Sequence, residues 1–315
     1  MGMLVEGVWQ AEDLRQFKRD GNQVRFSSGF HQAISCSSDF RPEPGRYVLY
    51  FNWTCPWSHR ASITRQLKGL QEVIDIVLLE PSMGEEGWWF GESGEYHDPA
   101  IGAKYLHQLY SVSDATFTGR VSVPVLWDKR TDQIVNNDSG EIARFFNCEF
   151  NEFARHPDVD FYPETLRAEI DTLNEFIADN LNDGVYRCLL APGQKEYEHA
   201  FDALFKSLEI LDERLSGQRF LLGDRPTEPD WRAFACLSRF DAVYYSLYKC
   251  NLKRIVDYPD LWAYTRDLYQ MPGVAKTVNI REIKRGYYGM IHRGGIVPKG
   301  PELDFSQPHG RSAFS

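Results

Sequence analysis

Residues 46–60 read RYVLYFNWTCPWSHR, and this stretch decides the predicted fold. The run from Arg46 to Trp53 is almost entirely apolar and aromatic, which predicts a strand buried on both faces in the middle of a partly parallel sheet. Pro56 suits the first position of a helix that continues to about Leu70. The segment Ile74 to Leu79 predicts a second buried strand, so the stretch opens a βαβ unit.

Cys55 lies at the junction between the first strand and the helix. Free backbone N–H groups and the helix dipole stabilise a thiolate at this position, and the thiolate is the nucleophile in sulfur chemistry. Ser58 stands where a dithiol oxidoreductase has its second cysteine, so the site requires an external thiol to complete a reaction. The alternative for Cys55 is a small buried hydrophobe, which is our interpretation of the other five cysteines.

The next part of the chain completes a thioredoxin-like order of elements. The segment from Glu80 to Arg120 is too long for an ordinary connection, so we expect a functional insertion there. Val121–Trp127 and Thr131–Val135 predict a hairpin. Asp138 and Ser139 then offer N-caps to a helix.

Beyond residue 163 the apolar residues recur at helical spacing. Thr227 to Asp230 resembles a capping box with a proline in the first turn, and Pro259 begins a further helix. The predicted fold is an α/β thioredoxin-like domain followed by an all-α domain. The predicted layout is an N-terminal extension, the thioredoxin-like domain with its insertion at about 80–120, the all-α domain and a C-terminal tail, at residues 1–45, 46–150, 163–280 and 281–315.

Composition narrows the function classes. The chain has 315 residues, of which 43 % are hydrophobic and 25 % charged, and its net charge of −10 argues against a nucleic-acid partner. It contains no apolar run of about 18 residues and no basic, apolar leader at its N-terminus, so we expect a cytoplasmic protein without a membrane span. The six widely spaced cysteines suit a reducing compartment, and the histidines form no metal-binding motif, so no metal site is predicted.

Two further motifs suit a peptide-like ligand. The residue before a cis-proline in a thioredoxin-like domain shows its backbone to a bound peptide, and Val123-Pro124 occupies that place; an ordinary edge-strand proline is the alternative. At a helix N-terminus, Ser139 can hold a carboxylate and Asp138 an ammonium, a pair that the γ-glutamyl end of glutathione presents. Simple N-capping is the alternative, and both readings can hold together.

Several motifs in one order resemble a known family. They are CPWSHR, GRVSVPVLWD, NNDS, DGVY, IKRGYY and GIVP, at residues 55–60, 119–128, 136–139, 183–186, 283–288 and 295–298. Together they resemble the glutathionyl-hydroquinone reductases, the xi-class branch of the glutathione transferase family. This resemblance implies a homodimer that uses glutathione as co-substrate and binds no permanent cofactor.

The resemblance also implies roles for individual residues. Cys55 is the implied nucleophile; Trp88, Arg120, Val123, Asp138 and Ser139 are the implied glutathione site; Tyr186, Tyr287 and Tyr288 are the implied hydroquinone site. Without the resemblance, Trp88 and Arg120 would be interpreted as loop packing and a surface charge, and the tyrosines as core or interface residues. The chain departs from the family in having Ser58 for Ala, Asp138 for Glu and Gly286 for His. His292 has no assigned role.

These features predict reduction of glutathionyl-hydroquinones through a mixed disulfide of Cys55 and glutathione. An omega-like thiol transferase or dehydroascorbate reductase is the alternative among enzymes, because it shares the cysteine and the fold. The long insertion and the tyrosine-rich tail favour the hydroquinone substrate. A non-catalytic binding or assembly module is the alternative outside enzymes, and Cys55 in its full motif argues against it.

Overall fold

The structure, a computed structural model, describes residues 2–11, 18–19, 22–23, 29–291 and 296–314. The chain divides into two units. The first comprises Met1–Asp158 and Arg285–Gly295, and the second comprises Val159–Lys284 and Ile296–Ser315. The chain therefore leaves the second unit, contributes a short segment to the first, and then returns.

The first unit holds all the strands of the described chain. In chain order its elements are β1 (Met3–Val5), β2 (Val8–Gln10), β3 (Lys18–Arg19), β4 (Asn22–Gln23), β5 (Tyr47–Phe51), α1 (Pro56–Leu67), β6 (Asp75–Leu78), α2 (Leu106–Ser113), β7 (Gly119–Arg120), β8 (Val125–Asp128), β9 (Gln133–Asn136) and α3 (Ser139–Cys148). They form a four-stranded sheet in the order β6-β5-β8-β9, a three-stranded sheet β2-β1-β7 and the pair β3-β4.

The predicted βαβ unit is confirmed. Strand β5 pairs in parallel with β6 and antiparallel with β8, and every residue of β5 is buried. Helix α1 ends earlier than predicted because Gly69 adopts a left-handed backbone with φ of 69° just beyond it, and such a glycine ends a helix. Strand β8 begins only at Val125, because Pro124 has no N–H to give to a ladder.

The two faces of β5 contribute to different hydrophobic clusters, as alternation along a strand requires. Tyr47 and Leu49 pack in a cluster with residues of α1 and α3. Val48 and Tyr50 pack in a second cluster with residues of α2 and of the insertion. The central sheet is therefore covered on both faces, which explains the continuous apolar sequence of β5.

The described residues ahead of β5 contact the first unit. Strand β1 pairs with β7, so that Met3 lies opposite Arg120. The segment after residue 29 follows strand β9, where Gln32 N donates to Val135 O at 3.0 Å and Asn137 N donates to Phe30 O at 3.2 Å. This segment covers the edge of β9, which would otherwise present unpaired backbone groups.

The second unit is helical. Its elements are α4 (Arg167–Ile177), α5 (Asp183–Leu190), α6 (Gln194–Ser216), α7 (Glu228–Arg239), α8 (Tyr245–Leu247) and α9 (Pro259–Gln270), and α10 (Ile280–Ile291) follows, with its residues from Arg285 onward belonging to the first unit. The predicted α/β plus all-α fold is confirmed. Helix α10 crosses the boundary predicted at residue 280, and the low helix propensity of its two glycines obscured it in the sequence.

The tail beyond residue 296 is attached to the helices of the second unit. Arg311 is 2 % exposed, and its guanidinium donates to the carbonyls of Leu215 at 2.8 Å and Arg219 at 3.1 Å. These carbonyls lie at and just beyond the C-terminal end of α6, where a cation is favourable. The side chain of Gln270 also donates to Phe305 O at 2.7 Å. His292 lies outside the described residues.

Candidate active site

Cys55 is the N-cap residue of α1. Its sulfur accepts a hydrogen bond from Ser58 N at 3.4 Å and lies 3.4 Å from the carbonyl oxygen of Val123, to which the thiol donates. Pro56 occupies the first helical position, as predicted, and the Ser58 N–H of the first turn is directed at the sulfur. The Ser58 N–H and the N-terminal end of the helix stabilise negative charge on the sulfur, whereas the Val123 carbonyl accepts from the protonated thiol.

Ser58 is fully buried and does not face the sulfur with its hydroxyl. Its Oγ lies 3.3 Å from Asn52 O and 3.2 Å from Cys55 O, and its one hydrogen is shared between these two carbonyls. Ser58 therefore fixes the backbone around the thiol, while its amide contacts the sulfur. The six cysteines, all within the described residues, form no disulfide.

The loop before Cys55 is held by polar side chains. Asn52 Nδ2 donates to Leu79 O at 3.1 Å and to Glu80 O at 2.7 Å, and the Thr54 hydroxyl lies close to Pro81 O at 2.7 Å. The Thr54 hydroxyl also contacts Asn52 Oδ1. These bonds join the loop to the start of the insertion, and they fix where Cys55 emerges.

The backbone of Val123 is set by a buried network. The Val123–Pro124 peptide bond is cis, and the Val123 side chain is buried. Tyr110, which is fully buried, donates its hydroxyl to Ser122 O at 2.8 Å and accepts from Asn137 Nδ2 at 3.0 Å. Burial raises the pKa of Tyr110, so it stays a neutral donor. Helix α2 thereby orients the backbone that meets the sulfur.

Asp138 is the N-cap residue of α3. Its Oδ1 accepts from Gly140 N at 2.8 Å and from Glu141 N at 3.0 Å. Burial acts to raise the pKa of Asp138, but the hydrogen bond from Glu141, the charge of Arg60 and the hydrogen bond from Gly140 outweigh it, and the pKa is lowered. The capping prediction is confirmed, and the carboxylate stays charged at neutral pH.

Ser139 has a partner that the sequence did not indicate. The guanidinium of Arg60 donates to Ser139 Oγ from Nε at 3.0 Å and from Nη2 at 2.7 Å. Arg60 is the last residue of the CPWSHR motif, and 79 positions separate it from Ser139. No periodicity or spacing signal links residues so far apart.

Trp88 lies in the same hydrophobic cluster as Val123, and Cys55 packs against that cluster. Trp88 is 8 % exposed. Its backbone carbonyl accepts a hydrogen bond at 2.9 Å from Leu106 N, at the start of α2. Arg120 is exposed and lies on β7, where β1 holds its backbone. Thus the structure brings Trp88 and Val123 together with Cys55 and places Arg120 on the strand that leads to Val123.

Trp9, on β2, braces the loop that carries Trp88. Its Nε1 donates to Glu85 O at 3.1 Å, and its ring stacks on His107 with centroids 4.9 Å apart. A Cβ on Gly87 would lie 2.8 Å from the Trp9 ring, so the loop and the indole are in close contact. The sequence did not single out Trp9.

Trp9→Ala should weaken glutathione binding by roughly tenfold, because the loop that holds Trp88 loses its support. Isothermal titration with glutathione measures this, and Val8→Ala, at a position 61 % exposed on the same strand, is the matched control. Equal glutathione affinities of Trp9→Ala and the wild type would show that binding does not depend on the contact between Trp9 and the loop of Trp88.

Helix α10 approaches the thiol loop closely through a glycine. A Cβ on Gly286 would lie 2.4 Å from Pro81 O and 2.6 Å from Thr54 Oγ1, so any side chain would push the helix away. Arg285 Nη2 pairs with Glu80 Oε2 at 3.2 Å beside this contact. The close approach therefore explains why residue 286 is a glycine.

The three predicted substrate tyrosines lie in different units. Tyr287 and Tyr288, both buried, follow Gly286 in the first unit. Tyr186 is half-buried on α5 in the second unit, where its ring packs on Tyr248 at 5.3 Å.

A thioredoxin-like unit with a thiol at the N-cap of its first helix, followed by a helical unit, is the arrangement of the glutathione transferase fold. Comparisons with known proteins support this assignment. The models "Glutathione S-transferase, N-terminal domain" and "Glutathione S-transferase, C-terminal domain" match residues 54–148 and 194–267. The chain is 44 % identical to the glutathionyl-hydroquinone reductase PcpF of Sphingobium chlorophenolicum over 96 % of each chain.

Two further comparisons agree. The chain is 40 % identical to the glutathionyl-hydroquinone reductase YqjG of Escherichia coli strain K12, covering 99 % of this chain and 98 % of the relative. A Xi class glutathione transferase structure from Natrialba magadii matches with a TM-score of 0.93 and 41 % identity, over 99 % of this chain and 98 % of that one. The chain therefore belongs to the glutathione S-transferase family, in its Xi class. Within the described parts of the chain, no helix has the length and apolar character needed to cross a bilayer.

Proposed function

We propose that this enzyme reduces glutathionyl-hydroquinones to hydroquinones, with glutathione as co-substrate and Cys55 as nucleophile. The observation that carries the proposal is the Cys55 sulfur, capped by Ser58 N and 3.4 Å from the carbonyl of Val123. The names of PcpF and YqjG support the substrate class.

Glutathione suits the groups around the thiol. Its γ-glutamyl ammonium pairs with Asp138, and its γ-glutamyl carboxylate accepts from Ser139. Its cysteinyl backbone adds to Val123 as a short strand, and Trp88 and Arg120 supply further donors. Asp138 Oδ1 is committed to capping α3, so Oδ2 is the oxygen that meets the ammonium.

Binding of glutathione also activates Cys55. The Cys55 thiol donates a hydrogen bond to Val123 O at 3.4 Å. A glutathione N–H that bonds to this carbonyl replaces the thiol proton. The sulfur then keeps its donor from Ser58 N, which stabilises the charged form.

The reaction runs in two steps. The Cys55 thiolate attacks the glutathionyl sulfur, an S–S bond forms, the C–S bond breaks, and the aromatic carbon takes a proton from a tyrosine or water. The hydroquinone leaves. A second glutathione thiolate then attacks the mixed disulfide, which releases glutathione disulfide and regenerates Cys55. The external thiol is required because Ser58, which stands where a dithiol enzyme has its second cysteine, cannot form a disulfide with Cys55.

The proposal also includes a hydroquinone pocket. Tyr287 and Tyr288 of the first unit are proposed to line it, since phenol rings stack on aromatic substrates and donate hydrogen bonds, and a role for Tyr186 of the second unit stays a prediction. We also propose a homodimer in the cytoplasm, where glutathione and thioredoxin keep cysteines reduced.

Mass spectrometry tests the intermediate. The enzyme is mixed with one equivalent of a glutathionyl-hydroquinone without free glutathione, then digested without reductant. We expect a glutathione adduct on the peptide that contains Cys55 and none on the peptide of the exposed Cys36. Hydroquinone release without an adduct on Cys55 contradicts the mechanism.

The choice of substrate is tested by a second assay. Turnover of glutathionyl-menadiol is compared with turnover of dehydroascorbate, each with excess glutathione. The proposal expects the first substrate to have the higher kcat/KM. A reversed preference would make the chain an omega-like thiol transferase, and turnover of neither would support a non-catalytic module.

A further inference from the structure

Arg60 meets Ser139 at the point where the γ-glutamyl carboxylate is proposed to bind. The guanidinium is 7 % exposed, and its Nε and Nη2 lie 3.0 and 2.7 Å from Ser139 Oγ. Gly140 follows Ser139, and a Cβ there would lie 3.2 Å from Arg60 Nη2, so the glycine leaves room for the guanidinium. The arginine is thus built into the base of the site.

The hydrogen bonds from Arg60 determine how the Ser139 hydroxyl can bind a ligand. A serine hydroxyl has two acceptor lone pairs and one donor hydrogen, whereas a guanidinium only donates. Two hydrogen bonds from Arg60 therefore fill both lone pairs of Ser139 Oγ. The Ser139 hydroxyl is left as a donor, and it can bind only a group that accepts.

The positive charge of Arg60 acts on both Asp138 and Ser139. It adds attraction for an anion at Ser139, and it helps to keep Asp138 ionised against the effect of burial. A ligand that carries an ammonium and a carboxylate on one carbon matches this site. Asp138 supplies a negative charge for the ammonium, and the Ser139 hydroxyl donates to the carboxylate. A neutral amide in place of that carboxylate loses the charge-assisted bond.

We propose that Arg60 is a positioning residue that fixes Ser139 as a hydrogen-bond donor, so that the site selects a γ-glutamyl carboxylate over an uncharged group. This inference rests on the proposed glutathione site. It assigns Arg60 no contact with glutathione itself, because the arginine acts through the Ser139 hydroxyl.

The test compares two ligands by isothermal titration on the full chain. One is glutathione, and the other is its analogue in which the γ-glutamyl α-carboxylate is an amide. We expect Arg60→Gln to weaken glutathione binding by roughly tenfold while the affinity for the amide changes less than about threefold. Arg60→Lys keeps the charge and one donor, so it should retain an intermediate preference and serve if Arg60→Gln does not fold.

Arg65 provides the matched control. It is also a buried arginine of α1, and its Nε donates to Ile74 O at 2.6 Å. Arg65→Gln should lower the melting temperature and leave the ratio of the two affinities unchanged. A loss of preference in Arg65→Gln as large as in Arg60→Gln would mean that the ratio reports general damage to α1, and would overturn the inference.

A double-mutant cycle shows whether Arg60 acts through Ser139. If it does, Arg60→Gln should weaken glutathione binding by a factor at least about threefold smaller in the Ser139→Ala background than in the wild type. Additive losses, or equal losses for both ligands in Arg60→Gln, would overturn the inference, as would a wild type that does not distinguish the ligands. These titrations involve no hydroquinone, so failure of the proposed reaction in a chain that still binds glutathione remains a separate result.

Discussion

The Cys55→Ser enzyme should turn over a glutathionyl-hydroquinone at least roughly a thousandfold more slowly than the wild type. A serine hydroxyl is protonated at neutral pH, and the first turn of α1 cannot ionise it. It also cannot form the mixed disulfide on which the second step depends. Steady-state kinetics with a fixed excess of glutathione measure this loss directly.

Two measurements separate this loss from damage to the fold. Glutathione should still bind to Cys55→Ser with an affinity within about threefold of the wild type, since serine keeps the cap of α1. Cys36→Ser, at an exposed cysteine, should retain full turnover. More than about a tenth of wild-type turnover in a pure Cys55→Ser preparation would exclude the covalent mechanism.

The largest loss of stability is expected for Asp230→Ala in the second unit. Asp230 is fully buried, and its Oδ1 accepts from Leu221 N at 2.9 Å and from the Tyr264 hydroxyl at 2.8 Å. Its Oδ2 accepts from Thr227 N at 2.7 Å and Thr227 Oγ1 at 3.0 Å. Alanine leaves these buried donors without a partner, which should lower the free energy of unfolding by about 3 kcal/mol or more.

Urea denaturation followed by far-UV circular dichroism checks this expectation. The midpoint for Asp230→Ala should fall by about 1 M or more. Asp224→Ala, at an exposed aspartate in the same turn region, should leave the midpoint within experimental error. A shift of less than about 0.3 M in Asp230→Ala would mean that water replaces the lost carboxylate at little cost.

Most of the fold could be predicted from local patterns in the sequence. The buried strand before Cys55, the proline after it and the capping residues Asp138 and Thr227 were predictable, because each depends on residues that are neighbours in the chain. Helix α10 was not predicted, because Gly286 and Gly289 weaken its local signal. The close approach of Gly286 to Thr54 explains why a poor helix former stands there.

The N-terminal segment shows the same limit. Its short strands carry little periodicity, and the sequence indicated only an extension of unknown use. In the structure Met3 pairs with Arg120, and Trp9 supports the loop of Trp88. These are contacts between residues far apart in the chain, which no local pattern encodes.

The sequence by itself determined a single thiol at a helix N-terminus in a thioredoxin-like domain, and with it a chemistry that needs an external thiol. It did so because a strand, a cap and a helix start are local events. Only the tertiary structure decided what surrounds that thiol: the Val123 carbonyl 3.4 Å from the sulfur, and Arg60 across from Ser139. These groups meet because the sheet and its helices pack together, and packing depends on the whole unit rather than on any one segment.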